Sequence, residues 1–140
     1  MSRKCISVYL HLAWATWDRK LWIEAAVERR IFRMIVSAAR NLGCPTLAIN
    51  GMPDHVHILI KHNSTVTIAE IVKRAKGTSS RLINRYDLID DHFQWGRGYG
   101  AFSVSRWDTD KIVNDIRRQK EHPQQGTFIE DLESVLYSKA

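Results

Sequence analysis

Hydrophobic residues in this chain follow two periods in turn, and the order of those periods restricts the folds that can form. Residues 5–16 alternate with a period of two, which puts Leu10 and Leu12 on one face and Tyr9 and His11 on the other. This period predicts a half-buried strand. The next segment, 24–42, repeats its apolar positions at three and four residues and is followed by glycine, which predicts an amphipathic helix.

The later segments continue this alternation and are separated by turn residues. The predicted elements are two strands over 45–51 and 55–62 joined at Met52-Pro53-Asp54, a helix over 67–86 with a bend near Gly77, a strand over 99–105 and a helix over 108–122. The order β-α-β-β-α-β plus a helix predicts an α+β, ferredoxin-like sandwich in one domain over 1–140, with a four-stranded antiparallel sheet. Its open face would be covered by the last helix, a second subunit or a ligand.

Composition indicates a folded protein that favours anionic partners. The 140 residues are 44% hydrophobic and 26% charged, which excludes a disordered or fibrous chain. We expect a cytoplasmic protein without a membrane partner, because the chain has no run of 18 apolar residues and no secretion signal. Cys5 and Cys44 are too few for a disulfide framework and are expected as reduced, mostly buried thiols. A formal charge of +6 favours polyanions such as nucleic acid.

Two histidines in the segment DHVHILI share one face of the predicted third strand. His55 and His57 alternate with Val56 and Ile58, so their side chains project about 7 Å apart on the face opposite the apolar residues. Neutral imidazoles at this spacing can bind one metal ion together. Two unrelated polar residues on a solvated face remain the other interpretation of so short a motif.

The last predicted helix offers a third group. Asp115, Gln119 and His122 recur at i, i+4 and i+7 and so share one stripe, while Ile112 and Ile116 form an apolar stripe that can pack on the sheet. A helix packed in this way would aim the polar stripe at the histidines. An amide oxygen with two imidazoles is a mixed ligand set suited to Mg²⁺ or Mn²⁺, with positions left for a substrate phosphate.

The sequence as a whole resembles the single-tyrosine HUH transposases of small insertion sequences, especially their REP-associated relatives. The resemblance covers nearly the whole chain and rests on the segments YLHLAWAT, NGMPDHVHILI, IVKRAKGTSSRLIN, FQWGRGYGAFSVS and DIRRQKEHPQQGTFIEDL. It implies DNA transposition by metal-dependent cleavage and strand transfer of single-stranded DNA that forms hairpins. It also implies His55, His57 and Gln119 as metal ligands, and a homodimer whose sheets join edge to edge, for which the first strand is long enough.

The position of the family's nucleophile departs from the pattern. The family has a tyrosine four residues before the helix glutamine, whereas this chain has Asp115. Because an acyl phosphate is more labile than a tyrosyl ester, Asp115 is not expected to support the same cleavage and rejoining. Three interpretations are open: strand-transfer activity is lost, Asp115 is a fourth, anionic metal ligand, or another tyrosine substitutes. The tyrosines considered are Tyr9, Tyr86, Tyr99 and Tyr137.

Cations concentrate on the second predicted helix and in a later loop. The predicted DNA-binding residues are Lys73, Arg74, Lys76, Arg81, Arg85 and Arg97. Trp95 and Trp107 flank the fourth strand and are expected to stack on unpaired bases. Non-catalytic binding of structured single-stranded DNA by a transposase-derived protein is the alternative function, and a small RNA-binding domain is a third.

Overall fold

The computed structural model describes residues 4–121, and their elements follow the predicted order. The elements are β1 (Tyr9–Ala15), α1 (Ala25–Asn41), β2 (Thr46–Met52), β3 (His55–Lys61), α2 (Ile68–Arg85), β4 (Gly100–Val104) and α3 (Thr109–Arg117), with one 3-10 turn at Trp17–Arg19. The strands form one antiparallel sheet in the order β2-β3-β1-β4. The predicted α+β fold with a four-stranded antiparallel sheet is confirmed.

The main core lies between one face of the sheet and the helices α1 and α2. Leu12 and Ile58 from the sheet pack there with Ile35 of α1 and Ile71 of α2, all fully buried. The bend predicted near Gly77 is wrong, since α2 runs unbroken from Ile68 to Arg85. Packing of its apolar stripe on this core outweighs the low helix propensity of the small residues in its middle.

The other face of the sheet carries α3. Ile112 and Ile116 of this helix are buried against Ala48 of β2, Leu59 of β3 and Val104 of β4. Leu59 is two residues from His57, and side chains two apart on a strand share a face. The last helix therefore covers the same sheet face that carries the two histidines.

Two predicted boundaries are corrected. The first strand begins at Tyr9 rather than at residue 5, because the pairing with both neighbouring strands starts there. Cys5 is consequently exposed, and of the two thiols that were expected to be buried only Cys44 is. The final helix ends at Arg117 rather than at residue 122. After it, the backbone N–H of Gln119 donates to the carbonyl of Ile116 at 3.1 Å, which makes a tighter turn than the α-helix.

Strand order also corrects the expectation for edge pairing. β1 lies between β3 and β4, so both of its edges are already paired and it cannot join a second sheet. β2 and β4 are the edge strands of the sheet within residues 4–121. Across residues 4–121, no helix combines the length and the apolar character needed to cross a membrane.

Candidate metal centre

The two histidines of β3 lie side by side on the sheet face that α3 packs against. The ring centroids of His55 and His57 are 5.0 Å apart and the ring planes are nearly perpendicular. Their relative exposures are 9% and 6%. The structure therefore brings the two predicted imidazoles together, and it withdraws them from solvent rather than leaving them on an open face.

Asp54, in the turn before β3, holds the first of these rings. His55 Nδ1 donates to Asp54 Oδ1 at 2.7 Å, and Arg19 pairs with the other carboxylate oxygen at 2.9 Å. Burial raises the pKa of Asp54, but the hydrogen bond from His55 and the charges of His55 and Arg19 outweigh it and lower that pKa overall. An ionised carboxylate thus accepts from Nδ1 and leaves His55 Nε2 outside this contact.

His11 of β1 holds the second ring. Its Nε2 lies 3.0 Å from His57 Nδ1, between adjacent strands in which Ala13 is paired with His57. Burial lowers the pKa of His11 to about 4. Burial also lowers the pKa of His57 well below its ordinary value, and the nearby charges of His11, His55 and Arg19 lower it further. Both rings are neutral at pH 7, so one nitrogen donates and the other accepts.

Gln119 lies in the turn just after α3 and is buried, with 8% relative exposure. A residue before it, Arg117, and the residue after it, Lys120, form hydrogen bonds with Asn50 of β2. Asn50 Nδ2 donates to the Arg117 carbonyl at 3.1 Å, and Lys120 Nζ donates to Asn50 Oδ1 at 2.8 Å. Because Asn50 is paired with His57 across the two strands, the turn that carries Gln119 is anchored beside the histidines.

Lys120 fixes this turn to two further groups. Its ammonium donates to the Gly51 carbonyl at 2.6 Å and lies 2.8 Å from a carboxylate oxygen of Glu28 in α1. The backbone is tight at this point, since a Cβ on Gly51 would collide with the carbonyl of His55. Lys120 therefore joins α1, β2 and the turn after α3 at one end of the site.

The donors present fit a divalent ion of moderate hardness. Within residues 4–121 no three His, Cys, Asp or Glu side chains are placed to hold one metal ion. A site here would combine two neutral imidazoles with the amide oxygen of Gln119 and leave other coordination positions to water or phosphate, as Mg²⁺ and Mn²⁺ accept. Among the described residues, the buried Oδ2 of Asp115 has no hydrogen-bond partner, and Asp115 does not form such a three-group set with the histidines.

None of the described tyrosines replaces the family's nucleophile by position. Tyr9 shares the histidine face, but it lies four residues along β1 from the partner of His57, about 13 Å away. Tyr99 packs against the main core on the other face, and Tyr86 is exposed just beyond the end of α2. Tyr137 lies outside the described residues, as does His122 of the predicted stripe.

The predicted DNA-binding cations are in different situations. Lys73, Arg81, Arg85 and Arg97 are exposed, and Arg74 pairs with Glu70 on the surface of α2. Lys76 is half-buried and donates to the carbonyls of Gly96 and Gly98, and burial lowers its pKa. Lys76 thus holds the loop that contains Arg97.

The two tryptophans around β4 differ. Trp95 is buried, and its indole N–H donates to the Ser79 hydroxyl at 2.9 Å, so the prediction that it stacks on bases is wrong. Alternation alone does not show that the loop before β4 folds back onto the core. Trp107 is 81% exposed with the Arg106 guanidinium 4.7 Å from its ring centroid, and it stays available for stacking.

Sequence reasoning missed His11 and Asp54 as part of this site. The signal for His11 was its place on the polar face of the first strand, combined with a fold that pairs the first and third strands. The signal for Asp54 was its position next to His55 at the start of β3. Both bond to Nδ1 of a predicted ligand, which is a contact that motif spacing does not reveal.

Comparisons with known proteins identify the family and support the fold. Residues 4–119 match the model of the family described as IS200-like transposase. A candidate transposase from Deinococcus radiodurans R1 has a similar crystal structure, with a TM-score of 0.67 and 24% identity over 85% of this chain and 98% of that one. A REP-associated tyrosine transposase bound to a REP hairpin has a TM-score of 0.62 and 12% identity, over 87% of this chain and 73% of that one. No curated protein matches the chain.

Proposed function

Because this chain belongs to the IS200-like transposase family, we propose that it binds hairpin-forming single-stranded DNA at a divalent-metal centre held by His55, His57 and Gln119. One observation carries the metal centre: Nδ1 of each histidine is engaged, by Asp54 in one case and by His11 in the other. Each ring therefore has its Nε2 left for an ion. Ligand histidines in proteins are commonly oriented in this way through their second nitrogen.

The residues of the chain have distinct roles in this proposal. His55 and His57 bind the ion, and Asp54 and His11 set their tautomers and ring orientations. The Asn50 contacts hold the turn so that Gln119 can present its amide oxygen. When bound, Mg²⁺ or Mn²⁺ would hold and polarise a DNA phosphate.

The partner is inferred from the fold neighbour and from surface charge. The REP-associated transposase of similar fold is bound to a REP hairpin, which supports a DNA hairpin as the partner of this chain. The exposed cations of α2 and Arg97 in the loop held by Lys76 are proposed to contact phosphates. Such contacts give affinity that depends on salt and little on base sequence.

We further infer that this chain lacks the covalent step of the tyrosine transposases. That step needs a phenolate to attack the phosphorus and hold the 5′ phosphate as an ester. Asp115 occupies the tyrosine position, and the described tyrosines lie far along the strand, on the other face or at the end of α2. Among residues 4–121 no tyrosine is placed for this step, so the proposed function is metal-assisted DNA binding without a tyrosyl intermediate.

The homodimer implied by the resemblance is also a proposal. Two copies would join through β2 or β4, the edge strands of the described sheet. Unpaired strand edges favour association with another strand. Light scattering on the purified chain tests it, with twice the monomer mass expected and the monomer mass contradicting it.

One experiment tests the proposed function. A labelled DNA hairpin with a single-stranded flank is titrated with the protein in Mn²⁺ or in EDTA, and the same mixtures are run on a denaturing gel. We expect binding that weakens by about tenfold or more in EDTA and in His57→Ala, with no covalent adduct. His92→Ala, which removes an exposed histidine outside the site, is the matched control. DNA affinity that is the same in Mn²⁺ and in EDTA, and the same for His57→Ala as for the wild type, would contradict the proposed metal centre. A covalent adduct would contradict the inferred absence of the covalent step.

A further inference from the structure

A groove of about 570 Å³ runs along α1 beside β2, outside the residues assigned above to metal and DNA. Its lining combines guanidinium groups with apolar side chains. Arg29, Arg33 and Arg40 supply the charge, and Phe32 and Ile49 supply apolar area. The groove therefore offers cations and a non-polar surface together.

The three arginines form one stripe of the helix. They are separated by four and seven residues, spacings that return to the same face, and the stripe spans about 16 Å along the axis. All three side chains are exposed, and within the described part of the chain none has an ion-pair or hydrogen-bond partner. Their charges are thus available to an external anion.

The acidic charge of the groove is already compensated. Among the described residues that line it, Glu28 alone is acidic, and its carboxylate lies 2.8 Å from Lys120. Lys120 also binds Asn50 and Gly51, so this end of the groove adjoins the turn that presents Gln119. A polyanion lying in the groove would therefore reach the turn that carries Gln119.

We propose that this groove binds a segment of single-stranded nucleic acid backbone that enters or leaves the metal centre. Each arginine contacts one phosphate, and unpaired bases or sugars pack on Phe32 and Ile49. A single strand combines regularly spaced charge with flat apolar groups, and such binding surfaces join cations to stacking area. This proposal rests on the proposed function, because it supplies the path for the strand that the metal centre holds.

The test uses an unstructured, fluorescein-labelled thymidine oligonucleotide and anisotropy titrations at several salt concentrations. The variant Arg29→Ala/Arg33→Ala/Arg40→Ala removes the stripe. For three phosphate contacts on a single strand, the slope of log K against log salt should become less steep by about 2. Arg30→Ala, an exposed arginine of α1 outside the groove, is the matched control and should keep the wild-type slope.

The triple lysine variant at the same positions keeps the charge and should keep most of the slope, which separates phosphate contact from damage to α1. A wild-type slope in the triple alanine variant overturns the inference while leaving metal-dependent DNA binding in place. A wild-type protein that binds the labelled hairpin but not the oligonucleotide overturns the inference alone, and one that binds neither overturns both. Displacement of the oligonucleotide by poly-glutamate at equal charge concentration indicates an acidic polypeptide as the occupant instead and also overturns the inference.

Discussion

His11 Nε2 lies 3.0 Å from His57 Nδ1, so two buried neutral rings from neighbouring strands share one hydrogen bond. If His57 binds an ion through Nε2, its proton is on Nδ1 and is donated to His11. His11 then acts as a positioning residue, because it selects the tautomer of His57 without touching the ion.

Replacing His11 should therefore weaken metal binding more than it weakens the fold. We expect His11→Leu to lower Mn²⁺ affinity by about 10- to 100-fold, as does the loss of other hydrogen-bond partners of metal-binding histidines. Calorimetry measures the Mn²⁺ affinity. His11→Gln keeps an acceptor at a similar reach and should recover most of the affinity. Equal Mn²⁺ affinity in wild type and His11→Leu would show that His11 does not orient His57.

The metal-free protein should lose stability on acidification. Burial holds the folded pKa of His11 at about 4 and that of His57 well below normal, whereas in the unfolded chain both are near 6.5. Below pH 6.5 the unfolded chain binds more protons, so the free energy of unfolding falls as pH falls. For His11 alone the loss approaches about 3 kcal/mol near pH 4.

Urea denaturation in EDTA at pH 7.5, 6 and 5 measures this loss. His11→Gln removes one of the two titrating groups and should give a shallower dependence. Unfolding free energy that is constant or rises between pH 7.5 and 5 would contradict the buried neutral state of these rings.

The chain order of the elements could be predicted from sequence because most segments keep one hydrophobic period throughout. The boundaries that failed depend on partners instead. Val8 continues the alternation of β1 but is exposed because the strand pairing begins at Tyr9. Gln119 keeps helical spacing in the sequence, yet it follows a tightened turn that Asn50 and Lys120 hold in place.

Lys120 should matter for metal binding although it is not a ligand. Its ammonium contacts oxygens of Asn50, Gly51 and Glu28, so Lys120→Met should release the turn that carries Gln119. We expect Mn²⁺ affinity to fall by about tenfold, with a loss of stability of about 1 kcal/mol.

Arg118→Met is the matched control for Lys120→Met. Arg118 is two residues away and pairs only with the exposed Glu121 among the contacts described, and such surface pairs contribute about 0–1 kcal/mol. Calorimetry on both variants decides the point. An Mn²⁺ affinity in Lys120→Met that matches Arg118→Met would contradict the role of Lys120 in positioning Gln119.

Restoring the family's nucleophile should restore covalent chemistry. Asp115→Tyr places a phenol four residues before Gln119, on the helix that packs against the sheet face of the histidines. We expect a covalent protein–DNA adduct with single-stranded DNA and Mn²⁺ on a denaturing gel, and none in Asp115→Tyr/His57→Ala. The absence of an adduct in Asp115→Tyr, despite intact DNA binding, would show that the site has changed beyond this position.

The candidate site could be predicted only in part. Alternation placed His55 and His57 on one face, and that pairing was visible because strand geometry is local. The contacts of His11, Asp54 and Lys120 join residues that chain folding or turn geometry brings together. Spacing in the sequence does not encode such side-chain contacts. It also does not reveal the groove beside the arginine stripe of α1, because Ile49 of β2 lines that groove as well.

The most direct test of the metal centre is anomalous diffraction from crystals soaked in Mn²⁺. We predict one strong anomalous peak, from a Mn²⁺ ion bonded to the Nε2 atoms of His55 and His57 and to the amide oxygen of Gln119. A peak bound elsewhere, or no peak between the two imidazoles at saturating Mn²⁺, would contradict the account.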